Sequence, residues 1–311
     1  MDNDSLAILL LSNRLVDTKE KPFTAKEIWN LRSRIPQLGK VLELSSEALI
    51  REYELDFVES QRIKKLCDSV TALSFEIDRL EESGIKVLTI ADDEFPQRML
   101  NNLGEKSSVF LLVAGNINLL NENSRGIVGS RNASLETIGV ARLAAQAAVL
   151  RGEHVVSGLA KGIDRDAMAA ALESEGNVIG VPSEGIRRVA KGNEIRNLVH
   201  EDRICLLSPY GPDARFSVGS AMGRNRFIYS LSMSTLVVAS DASKGGTWAG
   251  AEEALKNRFA QVDVWTGAGA TKGNRGLVAL GARAVSSVEE LWFDDQVVVD
   301  NVSESEQLKL F

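Results

Sequence analysis

A chain of 311 residues with 44% hydrophobic and 25% charged residues has the balance of an ordinary globular protein, which excludes disordered and fibrous classes and leaves room for two domains. Its two cysteines, Cys67 and Cys205, lie far apart and argue against a disulfide framework or a cysteine metal site. The net charge of −7 argues against a nucleic-acid partner until its distribution along the chain is read.

That distribution is uneven. Over 288–311 seven acids (Glu289, Glu290, Asp294, Asp295, Asp300, Glu304, Glu306) face one base, Lys309, a net of −6, so the body of the chain is close to neutral. Over 186–226 eight bases (Arg187, Arg188, Lys191, Arg196, Arg203, Arg215, Arg224, Arg226) face four acids (Glu194, Glu201, Asp202, Asp213). This stretch is locally basic.

The first residues, Met1-Asp2-Asn3-Asp4, are acidic where a secretory signal is basic, and the apolar run over 6–11 is too short to cross a bilayer. No membrane role is expected, and the location expected is cytoplasmic. Apolar residues recur at three- and four-residue spacing through 6–15, 28–44 and 57–80, which predicts a small helical domain over 1–82. A strand signal over 85–90, followed by Asp92, Asp93 and Pro96, opens the next unit.

From Ser108 onward short apolar strands alternate with amphipathic helices, the pattern of a mainly parallel sheet covered on both faces. The strands expected are 109–113, 126–128, 154–157, 178–181, 204–207, 236–239 and 262–265. The clearest helix lies between Gly129 and Gly152: Ser134 suits the N-cap, Glu136 favours the first turn and Gly152 supplies the stop. The fold class expected is α/β, a Rossmann-like, mainly parallel sheet over 83–290 with a small helical N-terminal domain, then an acidic tail over 291–311.

In such folds ligands sit outside the carboxyl ends of the strands, where glycine lets backbone approach and helix N-termini offer N–H groups to anions. Three loops have that construction. In Gly129-Ser130-Arg131-Asn132-Ala133-Ser134 the glycine permits a tight turn and Arg131 can pair bidentately with a phosphate. In Ser157-Gly158-Leu159-Ala160-Lys161-Gly162-Ile163-Asp164, Lys161 projects from the loop and Asp164 suits a cap. The third is Lys244-Gly245-Gly246-Thr247, after the strand over 236–239. Each alone is a weak sign, because glycine turns after strands often mean only close packing.

Together they carry more. The runs Ile127-Val128-Gly129-Ser130-Arg131-Asn132-Ala133-Ser134, then Val155-Val156-Ser157-Gly158-Leu159-Ala160-Lys161-Gly162-Ile163-Asp164, then Gly223-Arg224-Asn225-Arg226-Phe227-Ile228 and Leu231-Ser232 closely resemble the DprA/Smf family. Upstream, Asp93-Glu94-Phe95-Pro96 and Val113-Ala114-Gly115-Asn116 look like that family's lead-in; the resemblance weakens after about residue 240. It implies a protein that binds single-stranded DNA, shields it from nucleases and loads a RecA-type recombinase, notably in natural transformation. Carried over residue by residue, it implies DNA contacts from Gly129, Ser130, Arg131, Ser157, Gly158, Lys161, Gly162, Arg224, Asn225 and Arg226. The cations among these, projecting over helix N-termini, would form a track for a phosphate chain.

Arg224 and Arg226 are two apart and cannot share a helix face, so Arg224 is expected to face the DNA while Arg226 either joins it or pins neighbouring loops. Asn225 reads as a tie to loop backbone. Arg187, Arg188 and Lys191 form either the outer wall of the groove or an exposed helix end. Aromatic residues are only 5% of the chain. Of the nearby candidates Phe216, Phe227, Tyr229 and Trp248, Phe227 and Tyr229 read as core, so binding is expected to be mainly electrostatic and sequence-tolerant.

Some positions depart from the family. Met168 stands where a histidine is usual, Ser208-Pro209-Tyr210 replaces Ser-Glu before a proline, and Gly245-Gly246-Thr247-Trp248-Ala249-Gly250-Ala251 replaces the usual wording of the last loop. That loop, continued by Glu252 and Glu253, loosely resembles nucleotide-binding LOG-type phosphoribohydrolases. The rival reading has Gly245, Gly246 and Thr247 hold a nucleotide while Glu252 or Asp164 polarises a water or sugar hydroxyl for N-glycosidic cleavage. The Arg-Asn-Arg element favours the DNA-binding branch. His154 and His200, the only histidines, are tied to no nucleophile, and neither a metal cluster nor a Walker motif is present in the sequence. No catalysis, cofactor or metal is expected.

The last residues, Gln307-Leu308-Lys309-Leu310-Phe311, resemble the Gln-Leu-x-Leu-Phe peptide by which bacterial DNA-processing proteins dock on the sliding clamp. Gln307, Leu308, Leu310 and Phe311 would fill an apolar pocket, with the acidic stretch as tether. The alternatives are that these apolar residues fold back on the body or pair with a second copy in a homodimer.

Overall fold

The computed structural model describes residues 1–12 and 14–293. The residues Gln307, Leu308, Leu310 and Phe311, singled out for clamp binding, lie outside the described residues. Six helices come first: α1 (Asn3–Leu11), α2 (Ala25–Arg34), α3 (Lys40–Glu43), α4 (Ser46–Tyr53), α5 (Phe57–Cys67) and α6 (Val70–Glu82). Local chemistry sets their starts. Asp2, Thr24, Ser45 and Asp56 each accept a first-turn N–H with the side chain, satisfying donors that helical bonding leaves free. Thr24 and Glu27 complete a reciprocal capping box. Ile8, Leu10, Ile28, Leu31, Leu49, Ile63 and Leu73 are fully buried, in a core continuous with that of the sheet.

The remainder alternates strands and helices: β1 (Lys86–Thr89), α7 (Gln97–Leu103), β2 (Phe110–Gly115), β3 (Ser124–Gly129), α8 (Leu135–Leu150), β4 (His154–Ser157), α9 (Ile163–Glu173), β5 (Val178–Gly180), α10 (Ile186–Ala190), α11 (Asn193–His200), β6 (Ile204–Ser208), α12 (Val218–Gly223), α13 (Asn225–Leu231), β7 (Ser234–Ala239), α14 (Gly245–Asn257), β8 (Gln261–Trp265), α15 (Lys272–Ala279) and β9 (Arg283–Val285). Ser5 on α1 fastens the helical region to the sheet: its hydroxyl donates to Asp92 Oδ1 at 2.8 Å and lies 2.8 Å from the Thr89 hydroxyl.

The strands form one sheet in the order β1-β2-β6-β5-β4-β3-β7-β8-β9. Pairing is parallel from β6 through to β9, and antiparallel between β1 and β2 and between β2 and β6. The fold is the α/β, mainly parallel class expected. Every residue of β3 and β7 is buried, as strands covered by helices on both faces require. The start of α8 follows the sequence expectation: Ser134 Oγ accepts from Thr137 N at 3.2 Å, and Gly152, just past the helix, has φ +73°. Strand β9 was not anticipated, because Ala284 is exposed and Arg283 charged, leaving no apolar run.

Chain order reverses at the centre of the sheet: β4, β5 and β6 spread to one side of β3, and β7, β8 and β9 to the other. The carboxyl ends of β3 and β7 therefore flank the switch-point crevice in which this architecture binds ligands.

The opposite end is closed by a buried charge cluster. Arg125, second residue of β3, donates to both Glu153 carboxylate oxygens at 2.6 and 3.0 Å and to Ser234 Oγ at 2.5 Å. Trp292 Nε1 also donates to Glu153, at 2.8 Å, and the guanidinium carbons of Arg125 and Arg151 lie over the indole, 4.4 and 4.1 Å from its centroid. Among the described residues no helix is long and apolar enough to cross a membrane.

Candidate nucleic-acid interface

A cleft of about 450 Å³ occupies the switch point, walled by the loops after β3 and β7, the start of α9, and α12 with its lead-in. Its loops interlock through backbone. Ser130 N donates to Ala239 O at 2.9 Å, and Ile163 N to Ser130 O at 3.3 Å. Gly162 has φ +80°, and a Cβ there would lie 2.5 Å from Ser130 O; only glycine joins the second loop to the first at this distance. A Cβ on Gly129 would lie 2.6 Å from Ile163 Cγ1, so its absence lets α9 close on the end of β3.

Arg131 is exposed on the cleft wall, its guanidinium carbon 5.9 Å from the Phe216 ring centroid. Lys161 is exposed on a neighbouring hollow of about 340 Å³ that Arg131 also lines. Lys244 is exposed at the cleft mouth, directly before the glycine pair that opens α14. Neither Arg131, Lys161 nor Lys244 has an ion-pair partner among the described residues. The starts of α9 and α14 carry no side-chain cap, and Gly245, Gly246 and Thr247, where α14 begins, line the same cleft. Unpaired cations around uncapped helix N-termini form a receptor for anions.

Arg224 departs from expectation. It does not stand in a groove facing solvent; it is 4% exposed and forms the cleft floor, Nη2 lying 3.5 Å from Asp164 Oδ2. Helix phase explains the inversion, because the junction of α12 and α13 turns position 224 inward. Its Nε and Nη1 have no hydrogen-bond partner. Burial lowers the pKa of Arg224, an effect that nearby Asp164 partly offsets. Burial likewise raises that of Asp164, against the opposing pull of Arg224 and of the Gly129 and Gly158 N–H groups. Each charge is thus incompletely compensated by the other.

Asp164 is also not the cap expected of it. The N-cap of α9 is Gly162, and Asp164, two residues inside, reaches back to accept from Gly129 N at 3.3 Å. Ser157 is fully buried and donates to Ile127 O at 2.6 Å, so its hydroxyl faces the sheet and not the groove. Gly158 is buried beneath Arg224.

Asn225 donates to Gly246 O at 2.8 Å, tying the third loop to α13. Arg226 points the other way and pairs with Glu253 at 2.9 Å. Arg187 is taken up by Glu76 at 2.6 Å and Asp213 at 3.2 Å, and Arg188 pairs with Glu184 at 3.1 Å, while Lys191 is exposed. Of the four aromatic candidates only Phe216 offers a free face, 51% exposed; Phe227 and Tyr229 are buried and Trp248 packs against Gly276. Glu252, the carboxylate of the hydrolytic alternative, is exposed on α14 and absent from the cleft lining. Asp164, the other carboxylate, is covered by Arg224. Lys244 escaped the sequence reading as a contact, although a base directly before a Gly-Gly helix start is the signal that finds it.

A family model described as "DNA recombination-mediator protein A" matches residues 86–294. The chain is 29% identical over 220 residues to the DNA processing protein DprA of Bacillus subtilis, covering 68% of this chain and 71% of that one. It is 30% identical over 207 residues to Protein Smf of Escherichia coli, covering 65% of this chain but 54% of the relative. Among solved structures, DprA from Streptococcus pneumoniae superposes with a TM-score of 0.61 at 26% identity, over 86% of this chain and 97% of that one. Helicobacter pylori DprA, described for its single-stranded DNA binding mode, shares the fold with a TM-score of 0.57 at 21% identity, over 70% of this chain and 98% of that one.

Proposed function

The chain belongs to the DprA/Smf family of DNA recombination mediators, and from that premise we propose that it binds single-stranded DNA at the switch-point cleft, protects it, and passes it to a RecA-type recombinase in the cytoplasm. The observation that carries this reading is the ring of unpaired cations, Arg131, Lys161 and Lys244, around uncapped helix N-termini. A phosphate chain laid across the ring meets charge and backbone donors together, and counterion release supplies the affinity without reading sequence. From the floor, Arg224, whose Nε and Nη1 are buried and unpartnered, adds positive charge beneath the strand.

No covalent step is assigned. The exposed Phe216 beside Arg131 supplies one stacking surface, and the Gly129, Ser130, Gly158 and Gly162 backbone shapes the loops rather than reading bases. In this reading the helical unit over 1–82 and the sheet unit over 83–290 work as one body with a continuous core into which Leu291 and Trp292 of the expected tail are also built, and the rest of the tail reaches the sliding clamp through Gln307, Leu308, Leu310 and Phe311. Clamp capture undiminished by removal of Leu310 and Phe311 rejects that last part. Homodimer formation is checked by light scattering.

The cleft itself is tested by fluorescence anisotropy with labelled single- and double-stranded oligonucleotides at two salt concentrations. Micromolar or tighter binding that prefers single strands and weakens steeply with salt supports the reading. Equal affinity for duplex, or indifference to salt, rejects it.

A further inference from the structure

A second cationic hollow lies on the other side of the Arg-Asn-Arg segment. It measures about 310 Å³ and sits at the seam between the helical region and the sheet, lined by Arg14 and Phe23 from the first and by Lys106, Ser108, Tyr210 and Arg226 from the second. Seams of this kind are where ligand sites concentrate.

The segment 222–226 is a partition. Met222, Arg224 and Asn225 line the switch-point cleft, whereas Gly223 and Arg226 line this hollow. The two-residue spacing that forbids a shared face thus gives each cavity one arginine.

The charge here is one-sided. Arg226 has a single carboxylate partner, Glu253, and its buried Nε has no hydrogen-bond partner. Lys106 donates to Asn257 Oδ1 at 2.5 Å and lies 5.9 Å from the Phe259 ring centroid, which leaves two of its three N–H donors unassigned. No carboxylate pairs with Arg14 or Lys106 among the described residues. Tyr210 presents its ring, its hydroxyl being spent on Ser220 O at 2.7 Å. Three cations against one acid, beside aromatic walls, match a phosphate attached to an apolar body.

We propose that this hollow is a second phosphate site, which takes a backbone phosphate of the strand whose neighbouring part occupies the switch-point cleft. The strand crosses the 222–226 partition, so that Arg224 and Arg226 serve consecutive stretches of one polynucleotide. The proposal rests on the reading of the cleft as a single-strand site.

The experiment compares the full chain with the double variant Arg14→Ala/Lys106→Ala, and separately with Arg131→Glu, using oligothymidylates of about 6 and about 25 nucleotides, lengths near the lower end of the usual single-strand site and above it. Both residues of the double variant are exposed, and circular dichroism verifies its folding. The expected result is about tenfold weaker binding of the longer strand, a log–log salt slope reduced by about 1.4 for two lost contacts, and unchanged binding of the shorter one. Full affinity and slope in the double variant, with binding abolished by Arg131→Glu, overturn the second site and leave the cleft standing. Full affinity in Arg131→Glu overturns the cleft reading and the second site with it. A third arm adds thymidine monophosphate alone: stabilisation of the parent but not of the double variant, with equal long-strand binding, assigns the hollow to a free nucleotide and overturns the strand proposal.

Discussion

The guanidinium of Arg224 lies against the Cα of Gly158, so closely that a Cβ at residue 158 would sit 1.4 Å from Nη1. Two of the sequence motifs are therefore one mechanical unit: the glycine of the second loop exists to admit the arginine of the third motif. Gly158→Ala must displace the guanidinium from Asp164 or shift the loop. We expect a loss of about 1–3 kcal/mol, the range for overpacking, with weakened single-strand binding, read by urea denaturation and anisotropy.

Arg224→Ala leaves Asp164 buried without its cation, which costs about 3–5 kcal/mol at neutral pH. The sign of the pH dependence follows from the raised pKa of Asp164. The folded state holds this proton more tightly than the unfolded one, so stability is fully present below the unfolded value and is lost as pH rises through the folded one. The deficit of Arg224→Ala should shrink on acidification. The double variant Arg224→Met/Asp164→Asn should recover most of the stability at neutral pH yet bind single strands less tightly than the parent. Full affinity in that variant would show that Arg224 acts only as a prop.

Arg131→Glu and Lys161→Glu each place an acid where a phosphate is to pass. Both residues are exposed, so thermal stability should stay within about 0.5 kcal/mol while affinity falls at least tenfold and the salt slope flattens. Lys244→Glu should follow them. A Lys244→Glu protein that binds like the parent would place the strand away from the start of α14.

Phe216→Ala tests stacking. With half its surface exposed the ring contributes little to folding, but a base laid on it is worth about 1–3 kcal/mol. The expected result is a loss of affinity with no change in melting temperature, together with loss of any fluorescence quenching seen when a base analogue binds the parent.

Glu27 gives a prediction far from the site. Burial opposes its ionisation, but the Thr24 N–H and the Arg62 guanidinium outweigh that and bring its pKa down to about 2. A depressed value contributes stability above the unfolded pKa that disappears as pH falls through the folded one. Because the side chain is 42% exposed, the solvent-screened contribution is about 1 kcal/mol. Parent and Glu27→Gln should differ by that amount at neutral pH and converge as pH drops from about 4.5 toward about 2.

The sheet was legible where burial on both faces writes an apolar run, as in β3, β4 and β7, and where glycine and a helix start follow directly. It was not legible at β9, an exposed edge strand, nor in the antiparallel pairing of β1 and β2, since short strands do not encode their neighbours. The loops of the site could be read because glycine leaves a local mark. The burial of Arg224 could not, because spacing separates it from Arg226 without saying which one the junction of α12 and α13 turns inward. Helix phase likewise decided that Glu253 and not Glu252 meets Arg226. Phe216 and Phe227 look alike in sequence, and only the fold exposes one and buries the other.

Trp292 covers Arg125 and Glu153, residues that begin the central strand and precede its neighbour in the chain. During synthesis, more than a hundred residues leave the ribosome between Arg125 and its indole cover. The middle of the sheet must therefore wait, with an ion pair still open to water, until the last turn emerges, and the body cannot mature strictly from its first residue to its last. A released chain truncated before Leu291 should remain open to proteases at its very centre, whereas one truncated after Phe293 has its latch in hand.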